Sequence, residues 1–192
     1  MAANAGDTTL GFEIEPEFGA PANPSNSAGG YADTSLRARL GYALDRDWTL
    51  GAYFKTTIKN DGTAQYYVEP SLGYRLNVGF PEFTLKPSVA FGDTWDATGL
   101  GPTKNANAPY YALYVAGDWD FDNSNWTWNV FNLRYRNAFN YTWNTPKVST
   151  GVTYEFEGGV SLYGNVGYCW KDTGSGLHPD KVSVAVGVTR KF

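Results

Sequence analysis

The chain has 192 residues, about the length of one domain, and a formal net charge of −4 at pH 7. The acidic balance gives no basic surface for nucleic acid, the 17% aromatic residues exclude a disordered chain, and the single cysteine excludes a disulfide framework or a cysteine-ligated zinc site. No apolar stretch approaches the ~18 residues of a membrane-spanning helix. The first residues lack basic and apolar segments, so we expect no signal peptide.

From Leu10 onward, apolar and polar residues alternate in stretches of about a dozen, which is typical of β-strands with two different faces. Clusters of Gly, Pro, Asn and Asp separate these stretches, and no segment has helical periodicity. The pattern predicts a single domain over residues 1–192. Its strands are predicted at residues 9–19, 32–44, 48–59, 64–77, 83–93, 109–121, 126–139, 146–157, 160–171 and 180–192.

The connections between these strands alternate in length. Residues 45–47, 78–82, 122–125 and 157–159 form short turns, whereas residues 20–30, 94–108 and 172–179 form longer, glycine-rich loops. An antiparallel up-and-down β-barrel has short turns at one end and longer loops at the other. The sequence therefore predicts an all-β barrel of about ten strands, with both termini on the side of the short turns.

One face of every predicted strand is almost free of charge. Across all ten strands, Arg190 is the only charged residue on the apolar face, while the opposite face carries Lys, Arg, Asp and Glu among Ser, Thr and Asn. A soluble sandwich or lipocalin-like barrel would bury the apolar face, whereas a membrane barrel would turn it toward lipid. The apolar face has no edge strand with blunting charges, which favours the membrane barrel.

Aromatic residues and the end of the chain support a membrane location. Aromatics gather near both ends of the apolar face, as in interfacial girdles, and the chain ends on Phe192 after an alternating valine run. This ending is like the terminal strand signal of bacterial outer-membrane proteins. We therefore expect a Gram-negative outer-membrane protein that contacts lipid and lipopolysaccharide, and that meets the barrel-assembly machinery through the strand ending at Phe192.

The inward face has more basic than acidic side chains. We assign it twelve Lys or Arg and eight Asp or Glu, so the acidic total conceals a cationic interior. Arg37 and Arg39 lie five strands away from Arg134 and Arg136, so the two pairs should face each other across the lumen. Arginine pairs bidentately with planar oxyanions such as carboxylates. The predicted lumen-binding residues are Arg37, Arg39, Arg134, Arg136, Lys55, Arg75 and Lys86.

A structural role for these arginines is the alternative. Small barrels fill their interiors with side chains, and ion pairs are a common filling. Glu13, Glu15 and Glu17 neighbour the strand of Arg37 and Arg39, and Asp118 and Asp120 neighbour the strand of Arg134 and Arg136. Each arginine pair could therefore be neutralised by the adjacent strand.

The segment Leu133 to Phe139, preceded by Trp126-Thr127-Trp128, resembles small monomeric outer-membrane porins of the oligogalacturonate-specific family. Residues 67–72, 84–89 and 186–192 are also similar to that family. The resemblance implies a narrow monomeric barrel whose facing basic tracks pass acidic oligosaccharides. Arg134 and Arg136 would belong to one track and Arg37 and Arg39 to the other. Family members typically have twelve strands, so twelve is the alternative to our count of ten.

Other chemistry receives less support from the sequence. His178, the only histidine, lies in a Gly-rich loop beside Asp172 and Asp180, without a motif for a nucleophile. Asp93 and Asp96 could form a second carboxylate pair on another loop. Cys169 is expected to be a structural thiol near a strand end, and Pro16, Pro70 and Pro87 require irregular strand pairing.

The predicted function is passive diffusion of small anionic solutes, with neither a cofactor nor a metal and without enzymatic activity. The alternatives are a closed structural or adhesive barrel that acts through its loops, and an enzyme at the barrel rim centred on His178.

Overall fold

The structure is a computed structural model that describes residues 4–20, 30–96, 107–140, 143–172 and 174–192. Most of the predicted loops 20–30 and 94–108 lies outside these residues. The strands are β1 (Thr8–Gly19), β2 (Tyr31–Ala43), β3 (Trp48–Lys59), β4 (Ala64–Tyr74), β5 (Leu76–Asn77), β6 (Phe83–Asp96), β7 (Tyr110–Asp120), β8 (Trp126–Ala138), β9 (Lys147–Glu155), β10 (Val160–Lys171) and β11 (His178–Lys191).

These strands form a closed antiparallel barrel. Apart from β4 and β5, strands that are neighbours in the chain pair with each other, and β1 pairs with β11 to close the ring. Both β4 and β5 pair with β6, so they are two parts of one barrel strand interrupted at Arg75. The predicted ten-stranded up-and-down barrel is confirmed, and the alternative of twelve strands is wrong. Whether residues 1–192 form one domain stays a prediction.

The apolar face points outward on every strand. Phe12, Leu40, Phe54 and Val166 are among the many large apolar side chains exposed on the outer surface, while inward positions such as Glu15 and Arg37 are buried. The soluble-barrel alternative is therefore wrong, because it requires the reverse arrangement. No helix among the described residues is long and apolar enough to span a bilayer.

Two bands of paired aromatic rings surround the outer surface. Near the turns, Trp48 packs on Tyr74 with ring centroids 4.7 Å apart. Near the loops, Tyr168 packs on Trp170, also at 4.7 Å. Amphipathic aromatic rings prefer the boundary between lipid tails and headgroups. The barrel therefore has the outer surface of a transmembrane protein, with one aromatic band at each interface.

The three prolines singled out from the sequence, Pro16, Pro70 and Pro87, each coincide with a gap in one ladder of strand pairing. The β1–β11 pairing passes from Ile14 to Glu17 across Pro16, and the β4–β6 pairing passes from Val68 to Ser71 across Pro70. Pro87 lies in the interval between the pairing of β6 with β4 and its pairing with β5. Proline has no N–H to donate, so it is tolerated where the ladder is interrupted. The predicted irregular pairing is confirmed, and the register is unchanged across each gap.

Candidate functional site

The lumen has an open part near the turns, which we call the turn-side cavity. It consists of an inner space of about 340 Å³ and an outer space of about 750 Å³. The two spaces share Gly51, Ser71, Lys86 and Ser88 in their lining, so they lie next to each other along the lumen. Arg46, Asp47 and Gly159 line the outer space, which places it at the short turns.

Near the loops the lumen is filled by side chains, which we call the loop-side cluster. Tyr67, Ala90, Tyr110 and Ala112 are buried there, and Tyr114 and Trp143 pack against them. The ring of Tyr110 lies 6.4 Å from that of Tyr67 and 5.8 Å from that of Trp143, and Tyr110 is fully buried. Among the described residues, this cluster forms the inner end of the turn-side cavity.

Gly92 allows the Tyr110 ring to lie flat on the barrel wall. A Cβ atom at position 92 would lie 2.4 Å from Cζ of Tyr110, which is closer than side-chain atoms approach each other. The missing side chain therefore leaves the space that the ring occupies. In this position the Tyr110 hydroxyl donates a hydrogen bond of 2.7 Å to Oε2 of Glu69.

Arg136 crosses the lumen between the cavity and the cluster. Its Nε donates to Oε2 of Glu69 at 3.1 Å, and its Nη2 donates to the hydroxyls of Tyr53 and Tyr114 at 3.0 Å each. The guanidinium also lies 5.3 Å from the centroid of the Tyr110 ring, within cation–π distance. Arg136 thereby joins β8 to β3, β4 and β7 and is itself buried.

Arg37 is neutralised by glutamates of the neighbouring strand. Its two Nη atoms contact Glu13 and Glu15, and Glu15 is contacted a second time by Lys147 of β9. The side chain of Glu15 is fully buried between these two cations. Here the sequence-based alternative of structural ion pairs describes what the structure shows.

Arg39 and Arg134 are less completely paired. The side chain of Arg39 is 47% exposed and makes one ion pair, at 3.3 Å to Glu13. Arg134 forms no ion pair within the described ranges; its Nη2 lies 3.4 Å from the carbonyl oxygen of Thr145, and its Nε is buried without a hydrogen-bond partner. Both line the inner space of the cavity together with Arg37 and Arg136. The four arginines predicted to face one lumen therefore lie around one cavity. Two of them are buried in ion pairs, and the other two are less completely paired.

The three other predicted lumen residues are separated from one another. Lys86 lines both spaces of the cavity and pairs with Asp118 at 2.5 Å. Arg75 lines the outer space, where its Nη2 donates to Oγ1 of Thr84 at 3.2 Å. Lys55 is buried on the loop side, with its ammonium 4.3 Å from the Tyr67 ring centroid. Lys55 therefore does not line the cavity.

The predicted acidic partners of Arg134 and Arg136 are wrong. Asp118 pairs with Lys86 and accepts a hydrogen bond from Asn129, and Asp120 accepts one from Thr127. The partner of Arg136 is Glu69, three strands away around the ring. Neighbouring strands do not decide these pairs, because long side chains in a narrow lumen reach across it.

The inward charge count also misses Asp33. This side chain is buried on the loop side, where Lys181 contacts it and Glu17. Asp33 is four residues before Arg37 on the same strand, so the period of two already places it inward. The same alternation places Tyr53, Tyr110 and Tyr114 inward, where they surround Arg136.

The remaining candidates show no assembled chemistry. Cys169 is a buried free thiol, as predicted. His178 is exposed, and its Nε2 lies 3.3 Å from the carbonyl oxygen of Ser175. Within the described parts of the chain, no group of three or more His, Cys, Asp or Glu side chains could hold a metal ion.

At the rim, Asp45 organises the turn between β2 and β3. Its Oδ1 accepts hydrogen bonds from the backbone N–H groups of Trp48 at 2.7 Å and Asp47 at 2.8 Å. These bonds favour the charged carboxylate and lower the pKa of Asp45 below its ordinary value.

No family model and no curated protein sequence matches this chain. Its fold is similar to that of the COG4313 outer membrane channel from Pseudomonas putida F1, with 10% identity and a TM-score of 0.58 over 100% of this chain and 97% of that one. It is also similar to the transport unit of the autotransporter AIDA-I from Escherichia coli, with 12% identity and a TM-score of 0.51 over 96% of this chain and 90% of that one.

A KdgM porin in complex with disordered oligogalacturonate aligns with 14% identity and a TM-score of 0.47, over 96% of this chain and 99% of that one. That likeness is too low to support an argument, so the resemblance to oligogalacturonate-specific porins stays a prediction. The fold and the apolar outer surface make the chain a transmembrane β-barrel of the bacterial outer membrane.

Proposed function

We propose that this barrel takes up small anionic solutes in the turn-side cavity and lets them diffuse passively across the outer membrane. The observation that carries the proposal is the charge of the inner space, whose lining includes six basic and three acidic side chains. In a narrow, partly desolvated lumen this surplus attracts anions and repels cations. Acidic oligosaccharides are the solute class that we propose, because their carboxylates match arginine.

The four arginines have different roles in this proposal. Arg37 and Arg136 are buried and hydrogen-bonded to carboxylates, so they hold the wall of the lumen in place. Arg39, which is largely exposed at the cavity, and Arg134, whose Nε has no hydrogen-bond partner, bind the solute, with Lys86 at the boundary between the two spaces. Loose binding at successive cations allows a solute to enter and also to leave.

Measurements in planar bilayers test this function. We expect the wild type to show an anion-selective reversal potential in a salt gradient, and the double variant Arg39→Gln with Arg134→Gln to lose most of that selectivity. Arg190→Gln is the matched control, because Arg190 is exposed on the outer face. Cation selectivity of the wild type, or the same selectivity in the double variant, would contradict the proposal.

A closed barrel that acts through its loops is the second candidate function. It is favoured by the loop-side cluster, in which Tyr110 is fully buried. A complete lack of conductance in the same bilayers would favour this candidate. In either case we propose a monomer without enzymatic activity, surrounded by lipid and lipopolysaccharide and inserted by the assembly machinery through the strand that precedes Phe192.

A further inference from the structure

Both oxygens of the Glu69 carboxylate accept hydrogen bonds from side chains of other strands, as the oxygens of a bound carboxylate ligand would. Oε2 accepts hydrogen bonds from the Tyr110 hydroxyl at 2.7 Å and from Nε of Arg136 at 3.1 Å, and Nη2 of Arg136 lies 3.0 Å away. Oε1 accepts a hydrogen bond of 2.5 Å from the Tyr114 hydroxyl. Both oxygens are therefore occupied by short or charge-assisted bonds, which are the strong ones in proteins.

The donors and the acceptor come from different parts of the barrel wall. Tyr110 and Tyr114 lie on β7 and Arg136 on β8, and Tyr53 of β3 supports Arg136 from the other side. Pairs of packed aromatic rings further fix the donors, since Tyr110 packs against Tyr67 and Trp143. The donor set is thus preorganised by contacts that do not involve Glu69.

At Glu69, β4 is paired with β3 but its pairing with β6 is interrupted. The β4–β6 ladder skips the two pairs at Glu69 and Pro70, whereas β7 and β8 remain paired residue by residue through Tyr114 and Arg136. In addition, Glu69, Tyr114 and Arg136 all line the inner space of the turn-side cavity. A solute at the inner end of the cavity therefore lies beside this group, although the side chains of Arg136 and Glu69 are only 4% and 5% exposed.

We propose that Arg136, Tyr110 and Tyr114 form a carboxylate-binding site at the inner end of the turn-side cavity, and that Glu69 occupies it as an internal ligand. An entering carboxylate solute competes with Glu69 for the same donors. This deepens the proposed function and rests on it for the identity of the natural solute. The existence of the site itself depends only on the donors around Glu69.

Glu69→Ala tests the site directly. The substitution removes CH₂–COO⁻, which acetate reproduces in size and charge, so acetate should refill the space. We expect saturable binding of one acetate per chain by titration calorimetry in detergent, with a Kd on the order of 1 mM, as befits so small a ligand. Wild type and Glu69→Gln should bind no acetate here, because a carboxylate or an amide already fills the site.

Two further variants exclude other sources of acetate binding. Glu155→Ala removes a carboxylate from the outer space of the same cavity and should bind acetate no better than the wild type does. Glu69→Ala combined with Tyr114→Phe removes one donor and should weaken acetate binding about tenfold or more. Equal acetate affinity in Glu69→Ala and Glu155→Ala, or no binding to Glu69→Ala, would overturn the proposal.

If Glu69→Ala folds poorly, a second experiment still tests the site. In that case refolding in acetate is compared with refolding in chloride at equal ionic strength, and acetate should raise the yield of folded barrel. Equal yields would overturn the proposal. Because these readouts need no conductance, failure of the site is distinguishable from failure of the proposed transport function. If Glu69→Ala binds acetate but the wild type carries no anion-selective current, the carboxylate-binding site is retained and the proposed transport function is rejected.

Discussion

Basic side chains occur in both halves of the lumen, but those on the turn side line an open cavity and those on the loop side are enclosed. On the turn side, Arg39, Arg134 and Lys86 line an open cavity, and the side chains of Arg39 and Lys86 are largely exposed. On the loop side, Lys55 and Lys181 are enclosed by tyrosines and carboxylates. A cation count along the strands cannot tell these halves apart. The difference lies in burial, since Arg39 and Lys86 are each 47% exposed although each has a carboxylate partner, whereas Lys55 is buried.

Removing a charged side chain is therefore expected to change the stability of the barrel by different amounts in the two halves. A buried ion pair is expensive to break because one partner is left charged without solvent or a counterion. An exposed cation at a cavity is cheap to remove and is available to a solute. The loop-side half therefore determines the stability of the barrel, and the turn-side half determines what the barrel binds.

The largest expected contrast between the halves is in thiol accessibility. Ser88 lines both spaces of the turn-side cavity, whereas the native thiol, Cys169, is buried on the loop side. We expect a charged thiol reagent to label Ser88→Cys in the folded barrel, but to label Cys169 only after denaturation. The wild type is the control, since Cys169 is its only cysteine. Labelling of the folded wild type at the rate of Ser88→Cys would remove the distinction between the halves.

A large loss of stability is expected where the two halves meet. Glu15 is fully buried between Arg37 and Lys147, so Glu15→Ala leaves two buried cations without their shared partner. We expect the free energy of unfolding in denaturant titrations to fall by about 3–5 kcal/mol. Glu155→Ala, in the outer space of the cavity, should change it by less than about 0.5 kcal/mol. Similar losses in both variants would show that burial does not separate their roles.

The smallest effect is expected at the rim, outside both halves. The pKa of Asp45 is lowered in the folded state, so its contribution to stability is present above the ordinary pKa of 3.8 and is lost as the pH falls through the folded-state value. The denaturation midpoints of wild type and Asp45→Asn should therefore differ slightly at pH 6 and converge as the pH falls well below 3.8. A difference for Asp45→Asn that is constant with pH would contradict this origin.

Most of the fold follows from the alternation of residues along the chain. Because side chains in a strand alternate between two faces, the charge-free positions identify the lipid side and the remaining ones the lumen. The turns are also predictable from the sequence, because turn-forming residues such as Asp45 and Asp47 lie within them. The interruption at Arg75 and the extra length of β6 depend on pairing between strands, which a single strand does not encode.

The candidate site was only partly predictable. The positions of Arg37, Arg39, Arg134 and Arg136 around one cavity follow from strand parity and a ring of ten. The pairing of Arg136 with Glu69 does not, because it depends on the width of the lumen and on the relative height of strands that are not neighbours. The alternation along the strands places the tyrosines around Arg136 on the inward face. They are not identified when only charged residues are considered.

The pairing of β1 with β11 gives the barrel a particular folding problem. Their register joins Thr9 to Lys191 and Gly19 to Lys181, so the ring closes only between the first and the last strand. Every other strand pair is local in the chain and can form as a hairpin, whereas this one requires the ends of the whole chain to meet. Until they do, the sheet has two unpaired edges. The slowest step of folding is therefore expected to be the last one, in which the sheet becomes a barrel.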